Sequence, residues 1–191
     1  MRPPYPTPHT FDVTPSDAPS LGTSDAASTS SVPHESRLAR ALRELLARQR
    51  VAALGTQGED GLPFVSMVPY AIEPEGALLV LHLSGLAAHT ANLQRQPLAS
   101  FMVMQPEVAG EPVHALPRVT LQVHAETPVA GDALHQRCRQ AYLARFPEAE
   151  PMTQLPDFRL VALHLLSARQ VAGFGAARSV EAQELRHALH G

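Results

Sequence analysis

The 191-residue sequence contains no lysine and no tryptophan, and it has a single cysteine. Without lysine the chain can form no Schiff base with pyridoxal phosphate, and no phosphate-binding loop can end in Gly-Lys-Ser/Thr. Any anion that the protein binds must therefore contact arginine, histidine, hydroxyl groups or backbone N–H groups. Cys138 can form neither an internal disulfide nor a cysteine-based zinc site, and we expect a cytoplasmic protein.

Charge of one sign and long apolar runs are also scarce. The net charge is −3 with neutral histidines, which argues against a broad basic surface for nucleic acid. Apolar runs such as residues 77–83 are far shorter than the roughly 20 residues that a membrane helix needs. We therefore expect neither a nucleic acid nor a membrane as partner. Aromatic residues make up 5% of the chain and hydrophobic residues 45%, which predicts a mainly aliphatic core.

Residues 1–34 differ from the rest of the chain in composition. Pro, Ser and Thr fill 18 of these 34 positions. A segment with so few apolar residues cannot bury enough surface to offset the entropy lost on ordering. We predict a disordered leader at 1–34 and one folded domain after it.

The remainder of the chain combines short strands with helices. Helical spacing of leucine predicts a long helix over 35–49, and further helices fit 87–95 and 132–146. The tail, 181–191, is weakly helical. Many short antiparallel strands without βαβ alternation predict an α+β, mainly β, fold, a six- to seven-stranded antiparallel barrel with flanking helices. The strand-like runs are 51–56, 64–72, 77–83, 98–105, 118–123, 158–166 and 170–174.

Ser84, His89 and Thr90 lie where an apolar strand passes into a helix. The first N–H groups of a helix lack intrahelical partners and carry partial positive charge, which suits a phosphate group. The three side chains could add hydrogen bonds to that phosphate. Alternatively, Ser84 only caps the helix and His89 is an ordinary surface residue. The pattern alone favours this simpler interpretation.

Two further segments carry candidate binding residues. Arg118 lies on the polar face of an alternating strand, where it could pair with a phosphate or with the polar edge of a ring, or simply face solvent. The segment Gly173-Phe174-Gly175 is not a dinucleotide-binding turn, because Arg178 replaces the third glycine and the βαβ setting is missing. It predicts a tight turn that places the Phe174 ring in a groove.

The tail contains two histidines at helical spacing. His187 and His190 could share a metal ion or supply an axial ligand to haem, unless the tail is merely exposed to solvent. The sequence has no Gly-x-Ser-x-Gly and no His-Glu-x-x-His motif, so a serine hydrolase or a zinc protease has no support.

Seven short motifs occur in a fixed order: Gly61-Leu62-Pro63, Ser66-Met67-Val68-Pro69-Tyr70, Ser84-x-Leu86-Ala87-x-His89-Thr90-x-Asn92-Leu93, Arg118-Val119-Thr120-Leu121, Tyr142-Leu143-Ala144-Arg145-x-Pro147, Asp157-Phe158 and Gly173-Phe174-Gly175-x-Ala177. In this order and spacing the chain resembles the FMN-binding split barrels of the pyridoxamine 5′-phosphate oxidase-like superfamily, and among them the haem-utilisation (HugZ-type) branch. Two positions depart from the branch, because Phe146 stands where we expect a histidine and Ala172 where we expect a glycine.

The resemblance implies a homodimer of split barrels, with residues 35–180 as the FMN-binding domain. It implies an FMN-dependent oxidoreductase with a small-molecule substrate, and it identifies no catalytic residue. In such a protein the second strand passes along the isoalloxazine ring, the phosphate lies near the start of the helix after the third main strand, and an arginine reaches the flavin. The cofactor-binding residues that follow are Val65, Ser66, Met67 and Val68 on the strand, Ser84, His89, Thr90 and Asn92 around the helix start, and Arg118.

The same resemblance leaves two alternatives open. In the haem-utilisation branch, haem occupies the dimer cleft and a histidine near the C-terminus is the axial ligand. His187 or His190 is then the ligand, and Asp157 orients its ring. In the second alternative, the chain is a non-catalytic dimeric binding module that kept the fold and lost the cofactor. We rank FMN first, haem second and the module third.

Overall fold

The computed structural model describes residues 36–190, so the predicted leader, 1–34, lies outside the described residues. The described chain forms four α-helices and eight strands. The helices are α1 (Arg37–Arg48), α2 (Ala88–Arg95), α3 (Ala133–Arg145) and α4 (Ala182–His190). The strands are β1 (Val51–Gln57), β2 (Pro63–Pro69), β3 (Ala71–Glu73), β4 (Leu78–Ser84), β5 (Leu98–Met104), β6 (Arg118–Glu126), β7 (Phe158–Val171) and β8 (Ala177–Glu181). None of the described helices is long and apolar enough to cross a membrane.

All eight strands belong to one antiparallel sheet in the order β2-β1-β5-β6-β7-β4-β3, and β8 also pairs with β7. The 14 residues of β7 are long enough for β4 and β8 to share one of its edges, opposite Leu163 and Ala168 respectively. The sheet curls into a split barrel. The predicted α+β, mainly β, barrel with flanking helices is confirmed, and the sheet has eight strands.

The strands differ from the prediction at three places. The predicted strand over 64–72 is divided at Tyr70, whose N–H donates to Arg50 O and whose hydroxyl donates to Leu46 O at 2.7 Å. The two predicted strands after Asp157 form the single strand β7, because a bulge beside Leu166 keeps the pairing with β6 in place. Strand β8 was not predicted.

The barrel interior is aliphatic, as composition predicts. Its members come from every long strand and from three helices, and the largest cluster includes Leu42, Leu54, Leu81, Leu121, Leu163 and Leu185. Tyr70 and Phe101 supply an edge-to-face aromatic pair with ring centroids 5.3 Å apart. The helix α4 contributes Leu185, Ala188 and Leu189 to this core, so the tail is packed against the barrel.

A second apolar cluster lies outside the barrel, beneath α3. Asp132 caps this helix by accepting a hydrogen bond from the N–H of His135 at 2.6 Å. The helix buries Cys138 and Tyr142 against the outer faces of β4 and β7, together with Val80 and Leu160. The outer surface of this side of the barrel is therefore covered by the chain's own helix.

Candidate functional site

The outward-pointing side chains of β2, β1, β5 and β6 form a sheet surface that is largely exposed; we call it the open face. Its apolar members include Val51, Val65, Met67, Leu98 and Met104, and each is between 45% and 67% exposed. Exposed apolar patches of this kind usually mark a binding surface for a ligand or another chain. The open face is therefore the first candidate for function.

Alternation along β2 divides the four residues predicted to follow a flavin ring. Val65 and Met67 point outward and are 67% exposed, whereas Val68 is buried in the core. Ser66 points to the barrel side, and its hydroxyl oxygen is buried without a hydrogen-bond partner. Only Val65 and Met67 can thus present their side chains to a ligand on the open face.

Arg118 lies on the same face as Met67. Cross-strand pairing aligns Met67 with Ala53, Ala53 with Met102, and Met102 with Thr120, which is two residues from Arg118. Three strand spacings separate the two ends of this row, or about 14 Å. The Arg118 guanidinium donates a hydrogen bond from Nη1 to Leu116 O at 3.1 Å. The fold therefore brings Val65, Met67 and Arg118 onto one surface.

The predicted phosphate site at the start of α2 is a tightly bonded corner. The Ser84 hydroxyl donates to Asp157 Oδ2 at 3.1 Å and accepts from the N–H of Leu86 at 3.2 Å. The N–H of Gly85 donates to Asp157 O at 2.5 Å, and that of Ala87 donates to Ser84 O at 3.2 Å. The N–H groups of Gly85, Leu86 and Ala87 are thus satisfied within the chain, whereas α2 itself begins at Ala88 and its N-cap residue, Ala87, makes no side-chain hydrogen bond to the first turn.

Gly85 is required by the same corner. A Cβ atom at this position would lie 2.9 Å from Asp157 O and from a guanidinium nitrogen of Arg159. Both distances are shorter than a normal contact, so any larger residue must displace both the Asp157 backbone and the Arg159 side chain.

Thr90 and Asn92 are buried and serve to anchor α2. The Thr90 hydroxyl donates to Ser84 O at 2.6 Å, and Asn92 Nδ2 donates to the Thr56 hydroxyl at 3.0 Å. Arg95 then donates to Asn92 Oδ1 at 2.7 Å. The sequence analysis did not identify Thr56. The available signal was that this polar residue continues the inward-pointing positions of Ala52 and Leu54.

His89 lies half-buried on α2, beside this anchor. Burial lowers the pKa of its imidazole, so the ring is neutral near pH 7 in the free protein. As a phosphate contact it would act at that pH as a neutral hydrogen-bonding group.

His187 and His190 are exposed on the outward side of α4, opposite its buried leucines. They border an open groove of about 570 Å³ together with Glu184 and Arg186. Arg178 ties the helix down through an ion pair with Glu184 at 2.6 Å. The two imidazoles thus stand on a docked helix and face solvent. Within residues 36–190, no group of three His, Cys, Asp or Glu side chains is arranged to hold a metal ion.

Asp157 and the start of α4 lie beside different parts of β7. Asp157 precedes Phe158, which pairs with Ser84, whereas Glu181, next to α4, pairs with Ser167. Ten residues separate Asp157 from Ser167, a contour length of about 33 Å along the curled strand. Within one chain, Asp157 accepts a hydrogen bond from the Ser84 hydroxyl.

The predicted turn around Phe174 is confirmed, but its groove is not. Gly173 and Gly175 adopt φ of 135° and 71°, and the N–H of Ala172 donates to Ala176 O across the hairpin at 2.9 Å. The Phe174 ring is 81% exposed at the tip. The expectation that the ring enters a groove is wrong for the single chain, since the ring is exposed to solvent.

A sequence profile described as pyridoxamine 5′-phosphate oxidase matches residues 38–189, from α1 to α4. The chain belongs to this family. Its position near the haem-utilisation branch of the split-barrel superfamily is also confirmed by the relatives below.

Three comparisons illustrate the family relationship. Over 157 residues the chain is 27% identical to a heme oxygenase, HutZ, of Vibrio cholerae, covering 82% of this chain and 88% of that one. A heme binding protein from Mycobacterium smegmatis is 31% identical with a TM-score of 0.70, over 78% of this chain. The chain spans 60% of that mycobacterial protein's length. The crystal structure of HutZ, a heme storage protein from Vibrio cholerae, is 27% identical with a TM-score of 0.61, over 67% of this chain and 89% of that one.

Proposed function

We propose that this member of the pyridoxamine 5′-phosphate oxidase family binds haem between two copies of the chain and serves in haem utilisation, as a haem-binding or haem-degrading protein. The observation that carries the proposal is the pair of solvent-facing imidazoles of His187 and His190 on a helix docked to the barrel. The haem-related relatives of Vibrio and Mycobacterium support it.

The donor set of the chain fits haem. Imidazole is a common axial ligand to haem iron, and a residue on a packed helix can hold its ring in a fixed direction. The apolar side chains of the open face, such as Val65 and Met67, suit the flat surface of a porphyrin. Arg118 on the same face can pair with a propionate. Bound haem would supply the iron and its redox chemistry, while these residues bind and orient it and exclude water.

Two features support a homodimer. Asp157 precedes β7, whereas α4 follows a strand that pairs with the second half of β7, which favours a contact between Asp157 of one copy and an α4 histidine of the other. The exposed apolar area of the open face supplies the surface that a second copy would cover.

Titration with haemin tests the proposal. We expect a Soret band of a histidine-ligated haem, and its loss or shift in His187→Ala or in His190→Ala, because one of the two is the ligand. His114→Ala, an exposed histidine on the loop before β6, is the matched control and should leave the spectrum unchanged. An unchanged spectrum in the double variant His187→Ala/His190→Ala would show that neither α4 histidine is the axial ligand.

FMN is the second candidate, and family membership is the observation that favours it. One feature counts against it, because no lysine is available for the phosphate. Titration with FMN, followed by flavin fluorescence, separates the candidates. Micromolar FMN binding without haem binding would favour an FMN-dependent oxidoreductase. A dimer that binds neither would be a non-catalytic module.

A further inference from the structure

A cluster of three polar side chains lies on β6 and β7, at the border of the open face, and it contains none of the residues assigned to haem. His124 and Glu126 are two residues apart on β6, and inward-pointing Val123 and Ala125 alternate with them, so both face outward. His164 on β7 is the direct cross-strand neighbour of His124. Directly opposed residues of an antiparallel pair have Cβ atoms about 5 Å apart, so the three side chains converge.

Contacts within the cluster fix one of the two rings. Nε2 of His164 lies 2.6 Å from Glu126 Oε2, a hydrogen bond that leaves Nδ1 of the same ring available. These two side chains are 41% and 47% exposed, so water reaches them. A carboxylate that holds one ring nitrogen while the other binds a metal is a frequent arrangement in metalloproteins, because it orients the ring and raises its basicity.

The separation of the two rings is compatible with one metal ion between them. The ring centroids of His124 and His164 are 6.4 Å apart. A metal–nitrogen bond of about 2.0–2.1 Å places each centroid about 3.2 Å from the metal, so two imidazoles on one ion have centroids at most about 6.4 Å apart. The observed separation equals this limit, which only a linear nitrogen–metal–nitrogen arrangement reaches, so the exposed His124 ring must turn toward His164 for both to coordinate one ion.

We propose that His124 and His164 form a binding site for a divalent late transition-metal ion, with Glu126 positioning the His164 ring and water completing the coordination. Two neutral imidazoles favour Cu²⁺, Ni²⁺ and Zn²⁺ over Mg²⁺ or Ca²⁺, and Cu²⁺ should bind most tightly. The site requires none of the residues assigned to haem.

The test uses the full chain with His187→Gln and His190→Gln as background, because that pair at helical spacing can also bind metal. Calorimetric titration with Cu²⁺ and then Zn²⁺ should show one site, which His124→Gln or His164→Gln weakens at least tenfold. The Cu²⁺ electron paramagnetic resonance spectrum should show two nitrogen ligands, and one in either variant. Glu126→Gln should weaken binding by about tenfold or more.

His114→Gln in the same background is the matched control, and it should leave the affinity unchanged. Equal affinity for Cu²⁺ in the background and in both His124→Gln and His164→Gln would overturn the proposal, as would an unaltered nitrogen count. His124→Gln in the natural background should still give the full Soret band with haemin, which separates this site from the haem site.

Discussion

The outer surface under α3 and the open face have the same alternation of side chains along their strands, but the first is buried and the second is exposed. Under α3, the outward side chains of β4, Leu78 and Val80, are buried with Tyr142. On the open face, outward side chains of the same type, such as Val65 and Met67, remain 67% exposed. Period-2 alternation thus decides which side chains leave the barrel, and the presence or absence of a covering helix decides whether they need a partner.

The largest expected effect concerns the covered side. Tyr142→Ala removes a buried ring that contacts Phe146 and His82, with centroids 5.0 and 5.5 Å away. We expect the free energy of unfolding to fall by about 3–5 kcal/mol, measured by urea denaturation. Met67→Ala on the open face is the comparison and should cost less than about 0.5 kcal/mol in the monomer. Similar losses for both would break the distinction between the two surfaces.

A smaller effect is expected where α3 joins α1. Arg145 donates to the carbonyl oxygens of Ala47 and Gln49 at the end of α1, and its guanidinium lies over the Tyr70 ring at 5.6 Å. Arg145→Met leaves these carbonyls without their donor and should cost about 1–3 kcal/mol in urea denaturation. Arg139→Met, which removes a surface ion pair with Glu150 and a long hydrogen bond to the Thr153 hydroxyl, should cost less than about 1 kcal/mol. Equal losses of unfolding free energy in the two variants would show that the hydrogen bonds from Arg145 to the end of α1 do not stabilise the fold.

The smallest effect is a pH dependence of the covered side. His82 is buried between the rings of Tyr142 and Phe158, and burial lowers the pKa of its imidazole. The unfolded chain therefore binds the proton at higher pH than the folded chain does, and stability is lost as pH falls below about 6.5.

In His82→Phe an aromatic ring still packs between Tyr142 and Phe158, but the imidazole that binds the proton is removed. The loss of unfolding free energy between pH 7 and pH 5 should therefore be smaller than in the natural chain. His114→Phe serves as control and should keep the natural pH dependence. An identical pH profile for His82→Phe would mean that His82 carries no part of the acid sensitivity.

Much of the fold was predictable, and the reason is local. The helix predicted at 132–146 begins at a capping residue, Asp132, that is recognisable in the sequence. The strand predicted at 118–123 alternates apolar and polar residues, as the buried and exposed positions of β6 do. The division at Tyr70 and the continuous β7 could not be predicted, because the first depends on carbonyls of Leu46 and Arg50 and the second on the register with β6.

The candidate site was predictable only in part, for a related reason. Alternation placed Arg118 on a polar face, but which strands lie beside it depends on the sheet order, so its common surface with Met67 was visible only in the structure. In the sequence, Ser84 before a helix predicts a phosphate site. In the structure, Asp157, 73 residues away, accepts hydrogen bonds from the Ser84 hydroxyl and from the N–H of Gly85. Long-range contacts of this kind decide which polar groups stay available for a ligand.

We expect haem to bind between two copies of the chain across the open face. Sedimentation velocity recorded at the Soret wavelength measures this for the natural chain and for Met67→Glu, each loaded with haemin. We predict that haem sediments with a dimer of the natural chain, and that the buried charge of Met67→Glu yields a folded monomer without haem, because dimer and haem site are lost together. Haem that stays bound to a Met67→Glu monomer would contradict the account.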